Sequence, residues 1–418
     1  MGKSYIYNFA IIDNPTDHEK QLNSLNNKSE IDRLTIVLPK DFGIMKIKLT
    51  KPQLLSKIII LQTLTNENIT NFSLFIEQFK RLNFLSIKPL DKQDMIDFDL
   101  SDINYSDNLH SIIIRGYHFK PNELTKLFLK LKSSLLSFSV SKSDIETPNP
   151  IDLSESCLEQ LKLFPNDPAE YDLASCIKNS NIKILNFHSE ILNSIIEVLP
   201  TLKNIIQLFI QGPNILDTTL LEKYLLSESG YKLKHLMLKV KSPNGILSIL
   251  PRTNISKLGI IFDERVSDEI LLNSIVKLNL LFIHGKFDPN ALLAELVHNT
   301  KLTNFKTQLC CNKGPDCSDE LINLFKYNNT LERLTIGSNY IFTTEALAAL
   351  KYNHILRYLE LWNRELSPSE VELLEDISNE NPLLYIDNNS MKNYHKNNTK
   401  GARIAKCRRR AKTKRSIE

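Results

Sequence analysis

Lysine and arginine side chains recur at one kind of position along the sequence, inside a repeated apolar-x-x-apolar-x-apolar pattern. The third and fifth residues of the pattern, and the residue just after it, give 42 positions in fourteen repeats that open between Ile31 and Leu356. Nine of these positions are basic, and one, Glu360, is acidic. Because such cations bind carboxylates and phosphates, the pattern predicts a basic binding strip. The basic positions are Arg33, Lys57, Lys88, Arg115, Lys162, Lys239, Lys257, Lys306 and Arg333.

Histidine and apolar side chains share these positions. His188, His235 and His284 add positive charge at lower pH. An apolar group (Phe209, Met237, Ile261, Leu280 and Phe282) either anchors a partner or lies under a loop. Tyr358, Glu360 and Trp362, the only tryptophan, form a second group that either contacts a partner or packs under the C-terminal segment. The predicted partner-binding residues are Arg115, Lys162, Phe209, His235, Met237, Lys239, Lys257, Phe282, His284, Lys306, Arg333, Tyr358 and Trp362.

The sequence lacks the motifs that catalysis or cofactor binding would need. It has no glycine-rich phosphate loop, no G-x-S-x-G and no H-E-x-x-H. Cys310, Cys311 and Cys317 form one thiol cluster, but no histidine stands at ligand spacing and a tetrahedral metal site needs a fourth ligand. We therefore expect ordinary loop thiols, no metal, no cofactor and no enzyme activity.

The elements that must position the strip are repeats of a strand followed by a helix. The pattern recurs in steps of 22 to 29 residues from Ile6 to a degenerate last repeat at Leu383. This spacing predicts a parallel strand at each repeat, with the last two apolar residues of the pattern facing inward. The openings are Ile6, Ile31, Leu55, Leu82, Leu109, Leu135, Leu158, Ile182, Ile205, Leu233, Ile255, Leu278, Leu302, Leu331, Leu356 and Leu383.

Helices are predicted between most strands, and polar residues are expected to cap them. Asparagines that follow the helices (Asn299, Asn328 and Asn353) are expected to adopt the left-handed turn that Asn tolerates. Proline-rich stretches at 147–150 and 164–168 predict extended or single-turn connectors. The predicted helices are Pro121–Leu131, Glu190–Leu202, Asp217–Glu228, Ser267–Val276, Asp288–His298, Ser318–Tyr327 and Thr343–Lys351, with N-caps at Thr218, Ser267, Asp288, Ser318 and Thr343.

LERLTIGSN (331–339), LRYLELWN, LKHLMLKV and LHSIIIRGYHF, with helices between them, resemble the ribonuclease-inhibitor-like type of leucine-rich repeat over about 6–390. The motif's asparagine is clear only at Asn339; Gly116, Gly212 and Gly285 follow other strands. The resemblance implies an α/β solenoid, a horseshoe of about 15 repeats with a parallel sheet on the concave face and helices on the convex face. It assigns no subfamily, and it leaves open whether the early repeats continue one superhelix.

Two regions of opposite charge divide the sequence. Residues 391–418 contain eleven Lys or Arg and one acid, whereas residues 1–390 contain 41 basic and 47 acidic residues. We expect domain boundaries at 1–390 for the solenoid and 391–418 for a disordered basic tail. The tail is typical of a nuclear-import signal, of a nucleic-acid or anionic-membrane contact, or of a solubilising segment. The import-like residues are Lys406, Arg408, Arg409, Arg410, Lys412, Lys414 and Arg415.

Composition is that of an ordinary soluble protein, with 42% hydrophobic and 24% charged residues. No apolar run approaches the roughly 18 residues of a membrane span, and the N-terminus lacks the pattern of a signal peptide. Six scattered cysteines favour a reducing compartment, so we expect a cytoplasmic or nuclear monomer.

We predict a non-catalytic interaction scaffold whose basic concave face binds an acidic protein. Three alternatives remain: a substrate-recruiting F-box-like subunit of a ubiquitin ligase, a host-directed effector of an intracellular microbe, and a nucleic-acid-binding protein. A first repeat at Ile6 leaves little room for an F-box, and few aromatics among the basic positions weigh against base stacking.

Overall fold

The computed structural model describes residues 7–10, 33–37, 56–61, 69–89, 99–146, 151–168, 171–202, 204–309, 314–337, 339–362 and 364–388. The chain divides into two compact units, 1–212 and 213–418, and each is described by itself.

Parallel strands stand at all nine repeat openings of the first unit. They pair in chain order without interruption, so parallel pairing runs from the first strand to the tenth. One additional short strand pairs only with the far end of the strand that follows it. The strands are β1 (Tyr7–Ala10), β2 (Arg33–Val37), β3 (Lys57–Leu61), β4 (Phe84–Lys88), β5 (Ser111–Arg115), the additional β6 (His118–Phe119), β7 (Ser137–Ile145), β8 (Gln160–Pro165), β9 (Ile184–His188) and β10 (Gln207–Gln211).

The second unit has seven parallel strands, again one per predicted repeat. Each begins two residues after its predicted opening, and neighbours in sequence are neighbours in the sheet. The degenerate repeat at Leu383 also forms a strand. The strands are β11 (His235–Val240), β12 (Lys257–Arg265), β13 (Leu280–Lys286), β14 (Asn304–Leu309), β15 (Arg333–Gly337), β16 (Tyr358–Trp362) and β17 (Tyr385–Asp387).

Alternation along the strands separates the core from an outward face. In β11, Leu236 and Leu238 are fully buried, whereas His235, Met237 and Lys239 are only half-buried. This is the two-residue period of a strand with one packed side. Buried leucines and isoleucines of the helices complete the core in each unit. Both units therefore have the α/β leucine-rich repeat solenoid architecture that the spacing predicts.

The helices agree with the predicted ones in place but are shorter at several ends. Ser267 and Asp288 cap as predicted, because their side-chain oxygens accept from Ile270 N and from Asn290 and Ala291 N. Ser318 is wrong as a cap, since it is the first helical residue. Thr218 and Thr343 stand at cap positions without a capping bond. The helices are Ile69–Glu77, Glu123–Leu131, Leu173–Ile177, Leu192–Val198, Thr219–Leu225, Asn244–Ile249, Asp268–Ile275, Pro289–His298, Ser318–Tyr327, Thr344–Ala348 and Pro368–Glu380.

Residues 147–150 of the first proline-rich stretch lie outside the described residues, and the described remainder of both connectors agrees with extended or single-turn segments. Residues 151–159, before β8, contain no helix, and the connector after β8 contains only the five-residue helix Leu173–Ile177. Among the described helices, none has the length and hydrophobicity that crossing a membrane requires.

The left-handed turn predicted after the helices is wrong. Asn299, Asn328 and Asn353 have φ of −71°, −74° and −93°. Their side-chain oxygens accept from amides two and three residues ahead, as Asn328 Oδ1 does from Thr330 and Leu331 at 3.0 and 2.8 Å. The Asn328 amide also donates to Leu296 O of the preceding repeat at 2.6 Å. Asparagine is used here to join repeats through its side chain, and no positive φ is needed.

One buried glutamate lies at a helix start in each unit. In the first unit, Glu123 accepts from Lys120 N at 3.0 Å, from Leu100 N at 2.6 Å and from the Tyr117 hydroxyl. In the second unit, Glu370 accepts from Ser367 N at 2.8 Å and from Arg364 Nη2 at 3.1 Å. In both, the carboxylate reaches back to the amide three residues earlier, as in a capping box.

Candidate functional site

The outward face of β11–β17 is built from rows of side chains that run across the strands. One row, termed the central row, crosses all seven strands in register. Its chemistry changes along its length from apolar through cationic to anionic. The central row consists of Met237, Gly259, Phe282, Lys306, Thr335, Glu360 and Asp387.

Lys306 lies between two aromatic rings. Its ammonium is 5.6 Å from the Phe282 ring centroid and 4.8 Å from the Trp362 ring centroid. Both distances are within the range of cation–π attraction, which is worth about 0.5–1 kcal/mol at an exposed site. The two rings restrict the lysine side chain, so less conformational entropy is lost when it binds an anion.

Glycines leave gaps in the face that neighbouring side chains use. A Cβ at Gly337 would lie 3.1 Å from Gln308 Cγ, and the gap separates Gln308 from Trp362 across the register. A Cβ at Gly259 would lie 3.0 Å from Met237 Cγ.

Tyrosines and carboxylates make up the β15–β17 end of the face. Tyr358 stacks on Tyr385 with centroids 5.6 Å apart, and Arg333 lies 6.0 Å from the Tyr358 ring. Burial, followed by the charges of Glu360 and Asp387, raises the pKa of Tyr358 to about 12. Tyr358 is therefore a neutral hydroxyl at physiological pH.

His235 and His284 are weaker sources of positive charge than their ordinary pKa suggests. Burial lowers the pKa of both. Lys257 adds to the effect at His235 and Lys239 at His284, while Asp263 partly opposes it at His284. The predicted binding residues of this face that carry a fixed positive charge are Lys239, Lys257, Lys306 and Arg333.

These four cations are not neutralised within the described part of the chain, where no ion pair involves any of them. Lys257 and Arg333 are exposed, and Lys239 and Lys306 are half-buried. They remain able to pair with an external anion.

Two further members of the predicted apolar group, Ile261 in β12 and Leu280 at the start of β13, are half-buried on this face. The other predicted positions lie in the first unit. Lys162 and Phe209 fall in one row through Asn186, and Lys162 Nζ lies 5.4 Å from the Phe164 ring centroid. Arg115 is half-buried at the end of β5, in register with Ser141. Arg33 lies in β2, Lys57 in β3 and Lys88 in β4, and His188 Nδ1 is 3.6 Å from Glu190.

Two contributors to the face were missed in the sequence. Tyr385 and Asp387 belong to the last repeat, whose opening residue, Leu383, was itself the available signal. The predicted import-like tail and Cys310 and Cys311 lie outside the described residues. Cys317 is buried, and burial raises the pKa of its thiol to about 12. Within the described ranges, no group of side chains is arranged to hold a metal ion.

Comparisons with known proteins find similar solved structures but no relative whose function could be transferred. No protein-family model matches the sequence, and neither does any curated protein. Among solved structures, the chain is similar to an internalin of Listeria monocytogenes (15% identity, TM-score 0.37, covering 88% of this chain and 94% of that one). It is also similar to a leucine-rich repeat protein of Leptospira interrogans (16%, 0.35, 92% and 100%) and to the yeast Rad7–Elc1 complex (15%, 0.41, 89% and 82%). Such identities and TM-scores transfer no activity to this chain.

Proposed function

We propose that the chain is a non-catalytic protein-interaction scaffold, and that the outward face of β11–β17 binds an acidic protein surface. Leucine-rich repeats stack into extended surfaces that bind proteins, so the fold itself favours a scaffold. The observation that supports the acidic partner is the set of four cations, Lys239, Lys257, Lys306 and Arg333, on one side of one sheet, none of which forms an ion pair with another described residue.

Charge and aromatic contacts work together on this face. Unneutralised cations attract an acidic partner and raise its association rate. Aromatic residues are the usual anchors of protein interfaces, and Phe282, Tyr358 and Trp362 stand beside the cations. We therefore expect the association rate of the partner to fall as the salt concentration rises. The aromatic rings beside the cations are expected to anchor the bound partner.

The test is affinity capture from a cell lysate at low and high salt, with the full chain as bait. We expect acidic proteins to be retained at low salt and lost when Lys239, Lys257 and Lys306 are all changed to glutamate. A matched variant with Lys223, Lys301 and Lys326 changed to glutamate has the same net charge but leaves the face intact, since these exposed lysines lie on helices and turns. Equal loss in both variants would show a non-specific charge effect.

The basic tail is proposed to direct the chain to the nucleus. Its density of Lys and Arg supports this. We expect a fluorescent fusion of the full chain to accumulate in the nucleus and a fusion ending at Asn389 not to do so. If capture instead needs the tail and nuclease treatment abolishes it, the chain binds nucleic acid and the acidic-protein proposal fails.

A further inference from the structure

We propose that the central row recognises a linear segment that presents an apolar residue, then an acidic residue, then a basic residue. This inference rests on the proposed function and specifies the chemistry of the partner. The partner would be acidic where it meets Lys306 but basic where it meets Glu360 and Asp387.

The order follows from the register. Met237 and Phe282 occupy the apolar end of the central row, Lys306 follows Phe282 on the next strand, and Glu360 lies two strands further. Neighbouring strands are about 4.8 Å apart, so Lys306 and Glu360 start from backbones about 10 Å apart. An extended peptide advances about 3.3 Å per residue and alternates its side chains between two faces, so an acidic and a basic side chain that both reach the row stand two or four residues apart.

Lys306 and Glu360 do not neutralise one another, although both are long side chains in one row. Lys306 is held by the Phe282 and Trp362 rings. Glu360 accepts a hydrogen bond from Thr335 Oγ1 at 3.1 Å. Neutral groups thus hold the two charges apart, and each keeps its sign available to a partner.

The carboxylate end is broader than one residue. Asp387 is in register with Glu360 on β17, and both are half-buried on the outward face. A uniformly acidic segment laid along the row would meet these two carboxylates, and like charges at that distance repel. This end of the face therefore selects against partners that carry only acids.

The test is selection of a displayed library of random 12-residue peptides on the full chain. Parallel selections use Lys306→Glu, Glu360→Lys and two matched surface controls, Lys301→Glu and Glu380→Lys. We expect the native chain and both controls to enrich peptides with an acid two to four residues from a base and an apolar residue beyond the acid. Selection on Lys306→Glu should lose the acid, and selection on Glu360→Lys should replace the base with an acid.

A synthetic copy of the most enriched peptide completes the test. Changing its basic residue to glutamate should weaken binding to the native chain at least tenfold and restore it on Glu360→Lys. Circular dichroism melting curves serve as the control that each variant is folded. Enrichment of purely acidic peptides, lost on Lys306→Glu but unchanged on Glu360→Lys, would overturn the order while leaving the proposed function standing. Selection that neither Lys306→Glu nor Glu360→Lys alters would overturn the assignment to the central row, while capture with the triple-lysine variant decides the proposed function separately.

Discussion

Glu123 and Glu370 are buried carboxylates at helix starts, one in each unit, and their surroundings shift their pKa values in opposite directions. Burial raises the pKa of Glu123 from 4.5 to about 7, against the opposing effect of hydrogen bonds from Tyr117, Leu100 and Lys120. Burial also acts to raise the pKa of Glu370, but hydrogen bonds from Ser367 and the adjacent Arg364 guanidinium hold it below its usual value.

The difference in pKa follows from the depth of burial and from the donors that surround each carboxylate. Both carboxylates accept from the amide three residues earlier, so the capping contact cannot be the cause. The other oxygen meets only neutral donors at Glu123 but the Arg364 guanidinium at Glu370. At Glu123, which is the more deeply buried, neutral donors do not offset the loss of water around the charge; at Glu370 the amide and hydroxyl of Ser367, together with the Arg364 guanidinium, do.

Removing Arg364 should have the largest effect. Arg364→Ala leaves the Glu370 carboxylate buried without its cation and removes the guanidinium from Phe342 O, so we expect a loss of about 4 kcal/mol in the free energy of unfolding. Urea unfolding followed by circular dichroism measures it. The exposed Arg357→Ala is the matched control, expected to change stability by less than about 0.5 kcal/mol. Equal losses in the two variants would contradict the role of the ion pair.

Changing Glu123 to Gln should remove a pH dependence of stability whose sign is opposite to the one that the lowered pKa of Glu370 produces. Because the pKa of Glu123 is higher in the folded chain than in the unfolded chain, its protonation stabilises the fold. That stabilisation is fully present below the unfolded-state pKa of 4.5 and is lost as the pH rises through the folded-state pKa of about 7. The linkage predicts that the native chain loses about 3 kcal/mol over this interval relative to Glu123→Gln. Unfolding from about pH 5 to about pH 8 measures it, with the exposed Glu155→Gln as control. A flat difference between the native chain and Glu123→Gln would refute the assignment.

Repeat spacing made most of the fold predictable, because stacking strands must recur at a nearly constant step. The prediction for the asparagine turns is wrong because asparagine after a helix fits two structures equally well. It can adopt a left-handed backbone conformation, or its side-chain oxygen can accept from the amides that follow. The Glu123 environment could not be predicted, because Leu100 N comes from 23 residues earlier.

The rows of the candidate site follow from the repeat alignment, but the contacts within them do not. Alignment of the repeats places Lys306 and Trp362 on the outward face but does not predict that they are in contact. Their approach to within 4.8 Å depends on the reach of both side chains across the strand between them. The separation of Lys306 from Glu360 depends likewise on Thr335. These contacts form between side chains of different repeats, and the spacing of residues in the sequence does not predict them.

Changing Tyr117 to Phe should sharpen the comparison by removing one neutral donor. The Tyr117 hydroxyl donates to Glu123 and so lowers its pKa, and its loss raises that pKa further. We expect a loss of about 1.5 kcal/mol at alkaline pH, where Glu123 is charged, and a smaller one in acid. The control is Tyr171→Phe, whose buried hydroxyl contacts the Cys176 sulfur at 3.3 Å and should lose stability without this pH dependence. A larger loss in acid would count against a donor role for Tyr117.

Changing Ser367 to Ala should give the smallest effect and isolate the cap from the arginine. Ser367 Oγ accepts from Glu370 N at 3.3 Å and lies 3.0 Å from the Glu370 carboxylate, to which it donates. We expect a loss of about 1 kcal/mol by urea unfolding. Ser267→Ala removes a cap with the same 3.3 Å bond, to Ile270 N, but without a carboxylate in return. The excess of the first loss over the second measures the hydroxyl–carboxylate bond, and it should shrink as acid protonates Glu370. An excess that does not change with pH would assign the effect to the helix cap alone.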